Sequence, residues 1–98
     1  MLLVDFVKRE VRVRDLPVTL TPTEYGILRT LVFHAGKVLT HQQLIKEVWG
    51  GNYEVNSHLL RVNISNLRRK IENDPIQPRH IITEPGVGYR FKEIEKKI

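Results

Sequence analysis

Cysteine is absent from the 98 residues, so disulfides, cysteine-ligated zinc and thiol nucleophiles are excluded. The absence is compatible with a reducing cytosol. No apolar run approaches the roughly 20 residues that span a bilayer. Met1-Leu2-Leu3-Val4 meets Asp5 at once, which is too short and wrongly flanked for a signal peptide. A cytoplasmic location away from any membrane is the expectation. There is no glycine-rich phosphate loop either, since Gly86-Val87-Gly88 reads only as a hairpin turn. The histidines His34, His41, His58 and His80 are scattered, with no triad or H-E-x-x-H spacing. Nucleophilic catalysis needs a Ser, Thr or Cys beside a positioned base. No catalytic residue, metal ligand or cofactor is therefore assigned, and an enzyme is set aside. Repeats, low-complexity stretches and linkers are also missing.

What remains is the composition of a single soluble domain, with 41% hydrophobic and 28% charged residues. The net charge is +5, which suits a polyanionic partner. Its location says more than its size. From Val55 to Ile71 there is no acidic residue, yet Arg61, Arg68, Arg69 and Lys70 fall there. Elsewhere the signs are mixed, as in Lys92-Glu93-Ile94-Glu95-Lys96.

Val11-Arg12-Val13-Arg14 alternates with the period of a half-buried strand, and Leu2 to Val7 and Leu16 to Leu20 read as its neighbours. Thr21-Pro22-Thr23-Glu24 opens a first helix, with Thr21 as cap, Pro22 at the first helical position and Glu24 closing a capping box. Tyr25, Leu28, Leu31, Val32 and Ala35 form its apolar face, and Gly36 stops it. Lys37-Val38-Leu39 reads as an extended link. Thr40 and Gln43 form a second capping box, and Leu44, Ile45, Val48 and Trp49 supply the face of a short helix ending at Gly50-Gly51. A third helix is expected from about Asn56 to Glu72, halted by Asn73-Asp74-Pro75. His80 to Glu84 and Gly88 to Lys92, joined by Pro85-Gly86-Val87, read as a hairpin. Sheet, three helices and hairpin make an α+β chain with the layout of a winged helix-turn-helix, in which the second helix of the pair enters the major groove.

On a wheel of about 100° per residue, Leu60, Ile64, Leu67 and Ile71 gather on one stripe of the third helix that must face the core. The opposite face carries His58, Val62, Ser65, Asn66 and Arg69, flanked by Arg61 and Arg68. Asn can pair bidentately with adenine, Arg with guanine and Ser with either, while an exposed Val can touch a thymine methyl. The flanking arginines can reach phosphates. A merely solvated helix face would ordinarily mix acids and bases, and this one does not. In the hairpin, Thr83 and Arg90 are candidates for DNA contact, whereas Tyr89 and Phe91 read as packing residues. Trp49 reads first as a core residue, although its indole N–H can also donate to a phosphate.

These segments resemble the DNA-binding domain of OmpR/PhoB-type response regulators. The resemblance is carried by Leu20 to Tyr25, Gly36 to Thr40, Val48-Trp49-Gly50, Ser57-His58, Leu67 to Lys70, Asp74-Pro75 and Ile82 to Phe91, and it covers essentially the whole chain in order. It implies a four-stranded N-terminal sheet packed on three helices, a hairpin wing, and a third helix in the major groove of double-stranded DNA. It further implies homodimers on tandem half-sites, and a receiver domain answering to a sensor kinase, so that residues 1–98 are one effector domain of a longer regulator with its receiver absent. The loop Gly50, Gly51, Asn52, Tyr53 and Glu54 corresponds to a region that can touch RNA polymerase. By position, His58, Val62, Ser65, Asn66 and Arg68 match recognition-helix contacts, and Thr83 matches a phosphate contact. Pro85 stands where other members carry an arginine that enters the minor groove, so minor-groove readout by this wing is in question. Ser65 and Asn66 replace arginines of some relatives, so the operator read should differ from theirs. The nearest branch of the family governs potassium uptake, and kinship implies that role here.

Two rival binding readings predict different sequences. A winged helix used for protein contacts would show an apolar or mixed-charge third-helix face. Single-stranded or RNA binding would want exposed aromatic rings, and only Tyr53 offers itself.

Overall fold

Each helix begins where a side chain takes over a main-chain amide that the helix itself cannot satisfy. The computed structural model describes residues 2–51 and 56–92. At the first helix, α1 (Pro22–Phe33), Thr21 Oγ1 accepts from the Glu24 amide at 3.1 Å and Glu24 Oε1 accepts from the Thr21 amide at 3.0 Å. Thr40 and Gln43 repeat this reciprocal pair at α2 (His41–Trp49). Asn56 Oδ1 accepts from the Leu59 amide at 3.0 Å to start α3 (Ser57–Ile71). Such caps contribute about 1 kcal/mol each. The last turn of α3 holds Arg68, Arg69 and Lys70, cations that suit the negative end of a helix dipole.

Ahead of α1 lies an antiparallel sheet of three strands, β1 (Leu2–Asp5), β2 (Glu10–Val13) and β3 (Leu16–Pro17), rather than the four that the family resemblance implies. β1 stops at Asp5, short of Val7, because Asp5 Oδ1 accepts from the amides of Val7 and Lys8 and turns the chain. β3 is only two residues long, although the Val18 amide still reaches the Val11 carbonyl at 2.8 Å. Arg14 and Asp15, which join β2 to β3, both have positive φ, as the tight turn of a two-residue hairpin demands.

Residues expected to form a link instead form a strand, β4 (Val38–Thr40), and it pairs with the C-terminal hairpin of β5 (Ile81–Glu84) and β6 (Gly88–Phe91) in the order β4-β6-β5. The hairpin thereby supplies the central strand and one edge of a three-stranded sheet. Gly88 lies where β6 crosses β4, and a Cβ there would collide with the Leu39 carbonyl. Pro85 and Gly86 occupy the centre of the β5–β6 turn, with Gly86 at φ 74° and the Val87 amide donating to the Glu84 carbonyl at 3.0 Å. That is the arrangement of a type II turn, which asks for proline and then glycine.

The helices and this second sheet enclose one core. Ile27, Leu28 and Leu31 of α1, Leu44 of α2, and Leu60, Ile64, Leu67 and Ile71 of α3 are fully buried with Ile81. Each such side chain contributes roughly 1.5–3 kcal/mol. Tyr89 and Phe91 are buried as expected, and Trp49 packs half-buried against the cluster.

Candidate nucleic-acid interface

With Leu60, Ile64, Leu67 and Ile71 turned into the core, helical geometry leaves the other face of α3 to solvent. His58, Arg61, Val62, Ser65 and Arg69 are exposed there and Asn66 is partly so. Val62 keeps 41% of its surface in water, an exposure that core packing does not explain. Among the described residues Arg61 makes only a long 3.5 Å contact to Ser57 Oγ.

Two basic residues at the margin of this face are held by other elements. Lys70 Nζ lies 2.6 Å from Glu24 Oε1 of α1, and the Glu24 carboxylate is almost fully buried. Burial by itself would raise the Glu24 carboxyl pKa. The bonds from Lys70 and Thr21 outweigh it and hold the carboxyl below its usual value. Arg68 is held by the wing. Its Nη2 donates to the Ile81 carbonyl and to Thr83 Oγ1, each at 2.8 Å, and its guanidinium sits 5.7 Å from the centre of the Tyr89 ring. Burial lowers the Arg68 pKa from its ordinary value, opposed by Tyr89 and Glu72. Burial likewise raises that of Tyr89, opposed by Arg68 and Arg61.

Glu72 fixes the root of the wing. Its buried carboxylate accepts from the amides of Arg79, His80 and Ile81 just before and at the start of β5. An open groove runs between α3 and the wing, lined by Arg61, Ile64, Ser65, Arg68, Pro75, Thr83 and Tyr89. Thr83 is exposed on β5. Arg90 is half-buried and pairs through Nε with Glu84 Oε1 at 3.1 Å, so its charge is partly neutralised across the hairpin. The tip is apolar, with Val87 half-exposed beside Pro85.

The structure therefore brings the third-helix candidates and Thr83 to one side of the molecule. It ties Arg68 to the wing and Arg90 to Glu84. Gly50 and Gly51 are exposed at the end of α2, while Asn52, Tyr53 and Glu54 lie outside the described residues. Sequence reading missed Pro75 and Tyr89 as groove walls and Glu72 as the anchor of the wing. Only the distance between them in the chain concealed their meeting. Among the described residues no cluster of His, Asp or Glu could hold a metal ion, and no helix is long and apolar enough to cross a membrane.

A capped three-helix core, a basic acid-free helix face and a hairpin beside it define a winged-helix DNA-binding domain. Residues 15–91 match the family described as "Transcriptional regulatory protein, C terminal", and the chain belongs to it, as a DNA-binding effector domain of the OmpR/PhoB response-regulator type. Among curated relatives, the KDP operon transcriptional regulatory protein KdpE of Escherichia coli strain K12 is 49% identical over 88 residues, 90% of this chain. KdpE of Mycobacterium tuberculosis strain H37Rv is 46% identical over 89 residues, 91% of this chain. The chain spans 39% of the length of each. Among solved structures, Thermotoga maritima DrrB, an OmpR/PhoB homologue, superposes with a TM-score of 0.87 at 34% identity, over 94% of this chain and 42% of that one. The Klebsiella pneumoniae RstA DNA-binding domain, solved in complex with the RstA box, gives 0.82 at 31% identity, over 93% and 90%.

Proposed function

We propose that this domain binds a specific double-stranded DNA sequence and thereby regulates transcription of a potassium-uptake operon. The observation that carries the reading is the outer face of α3, which is exposed, basic and free of carboxylates along its length. His58, Val62, Ser65 and Asn66 discriminate bases in the major groove. Arg61 and Arg69 supply the salt-dependent grip on phosphates, joined from the wing by Thr83 and Arg90, with Arg68 part of the same DNA-binding surface between helix and wing. The likeness to KdpE supports the choice of operon, and the RstA complex supports the mode of binding.

Within a whole regulator in the cytoplasm, residues 1–98 act as the effector of a receiver domain phosphorylated by a sensor kinase. Two copies then occupy tandem half-sites, and the loop at residues 50–54 faces RNA polymerase. Selection of bound duplexes from a randomised library, at near-physiological salt, tests the reading. Enrichment of a short motif matching sites upstream of a potassium-transport operon is the expected result. Binding that shows no enrichment and vanishes as salt rises would reduce α3 to non-specific attraction. No binding even at low salt would favour a protein partner instead.

A further inference from the structure

We propose that Arg68 is a positioning residue of the DNA-binding surface: it orients the Thr83 hydroxyl of the wing as an outward hydrogen-bond donor to a DNA phosphate. The inference rests on the double-stranded DNA reading above and assigns Arg68 a mode of action within it.

The chemistry follows from counting protons. Nη2 of a guanidinium carries two, and in Arg68 one goes to the Ile81 carbonyl and the other to Thr83 Oγ1, both at 2.8 Å. A guanidinium accepts nothing, and a hydroxyl has one proton of its own. With a lone pair of Thr83 Oγ1 taken by Arg68, its proton is directed away from the arginine, on a side chain that is exposed. A cation bonded to the oxygen polarises the O–H and strengthens it as a donor. The open groove beside it is lined by Arg61 and Ser65, so an anion at the Thr83 hydroxyl would lie against the basic face of α3.

Arg68 is placed for this task at its own expense. Its Nε is buried with no hydrogen-bond partner among the described residues, an arrangement that folded proteins rarely keep without a reason. The bond also reaches from α3 to β5 across fifteen positions of sequence, so that orienting the hydroxyl and fixing the wing against the reading helix are one act.

A double-mutant cycle on DNA affinity separates this role from a direct contact or a structural one. The probe is the duplex enriched by selection, with thermal unfolding of each variant as the control for folding. Thr83→Val and Arg68→Gln should each weaken binding roughly tenfold. In the Thr83→Val background Arg68→Gln should cost less than about twofold more, whereas in a Thr83→Ser background, which keeps the hydroxyl, its full effect should return. Arg68→Lys, which keeps a donor and a charge, should retain most of the affinity, and Arg68→Met, which removes both, replaces Arg68→Gln in the cycle if the glutamine variant does not fold. Equal losses in the valine and serine backgrounds, or no loss from Arg68→Gln with Thr83 intact, would overturn the proposal. A wild-type domain that binds no duplex would instead remove the DNA reading itself.

Discussion

The two faces of α3 share one backbone and obey opposite rules. On the inner face, Leu60, Ile64, Leu67 and Ile71 expose 0–1% of their surface, and each choice is explained by the volume it fills. On the outer face nothing is packed tightly, and the informative feature is an omission. A glutamate at position 58, 62 or 65 would be harmless to the core, so folding does not account for its absence. Between the faces stand two cations anchored to different parts of the molecule, Lys70 to α1 and Arg68 to the wing. The helix is thus braced on both flanks, and the outer face is presented at a fixed angle by contacts it does not itself contain.

The largest effect that sharpens this contrast is expected from Leu67→Ala. Leu67 is fully buried, and truncation should cost about 2–5 kcal/mol in urea unfolding while leaving the base preference of the folded fraction unchanged. A shifted preference would mean that the two faces are not independent. Next comes Lys70→Met, which strands a buried carboxylate and should cost about 1–3 kcal/mol at neutral pH. Glu24 has its folded pKa below the ordinary 4.5, so its contribution is present above that value and lost as pH falls through the folded pKa. The gap between wild type and Lys70→Met should therefore narrow in acid. A gap constant from pH 7 down to about 3 would show that the ion pair is not its source. Asn66→Ala, one residue from Leu67, should leave stability within about 0.5 kcal/mol yet lose about 1–3 kcal/mol on the preferred duplex, with one base position relaxed. Equal losses on all duplexes would remove Asn66 from base readout.

Much of this arrangement was legible in the sequence because it is local. The two capping boxes and the Asn56 start of α3 are written within four residues, and the core stripe of α3 repeats with the helical period. The sequence was opaque where partners are distant. β4 is three residues long and pairs with a strand about fifty positions away, so its own residues carry no period to read. Glu24 announced itself as a capping residue, but its burial depends on Lys70, 46 residues on. Arg68 looked like a free phosphate contact because Ile81 and Thr83, which hold it, lie beyond a proline-bearing loop. Ile27 fell outside the expected α1 stripe and is fully buried, since α1 is covered on more than one side. The Arg14-Asp15 turn lacks the Asn-Gly pair that usually betrays such a hairpin. Its positive φ values are supported instead by Arg12, whose Nη2 donates to the Asp15 carbonyl at 2.9 Å.

The smallest expected effect falls on Arg61, and it is the one that best separates grip from readout on the outer face. Arg61 is exposed, has no carboxylate partner among the described residues, and lines the groove beside Thr83. Removing a phosphate contact removes one released counterion, so Arg61→Ala should reduce the slope of log affinity against log salt by about one. The loss should be similar on preferred and unrelated duplexes, so the specificity ratio between them should hold. Affinity measured on both across a salt series checks each statement separately. A slope unchanged within error would take Arg61 off the phosphate backbone. A fallen specificity ratio would move it among the base-reading residues, and the outer face would then read bases on its wing side as well as through His58, Val62, Ser65 and Asn66.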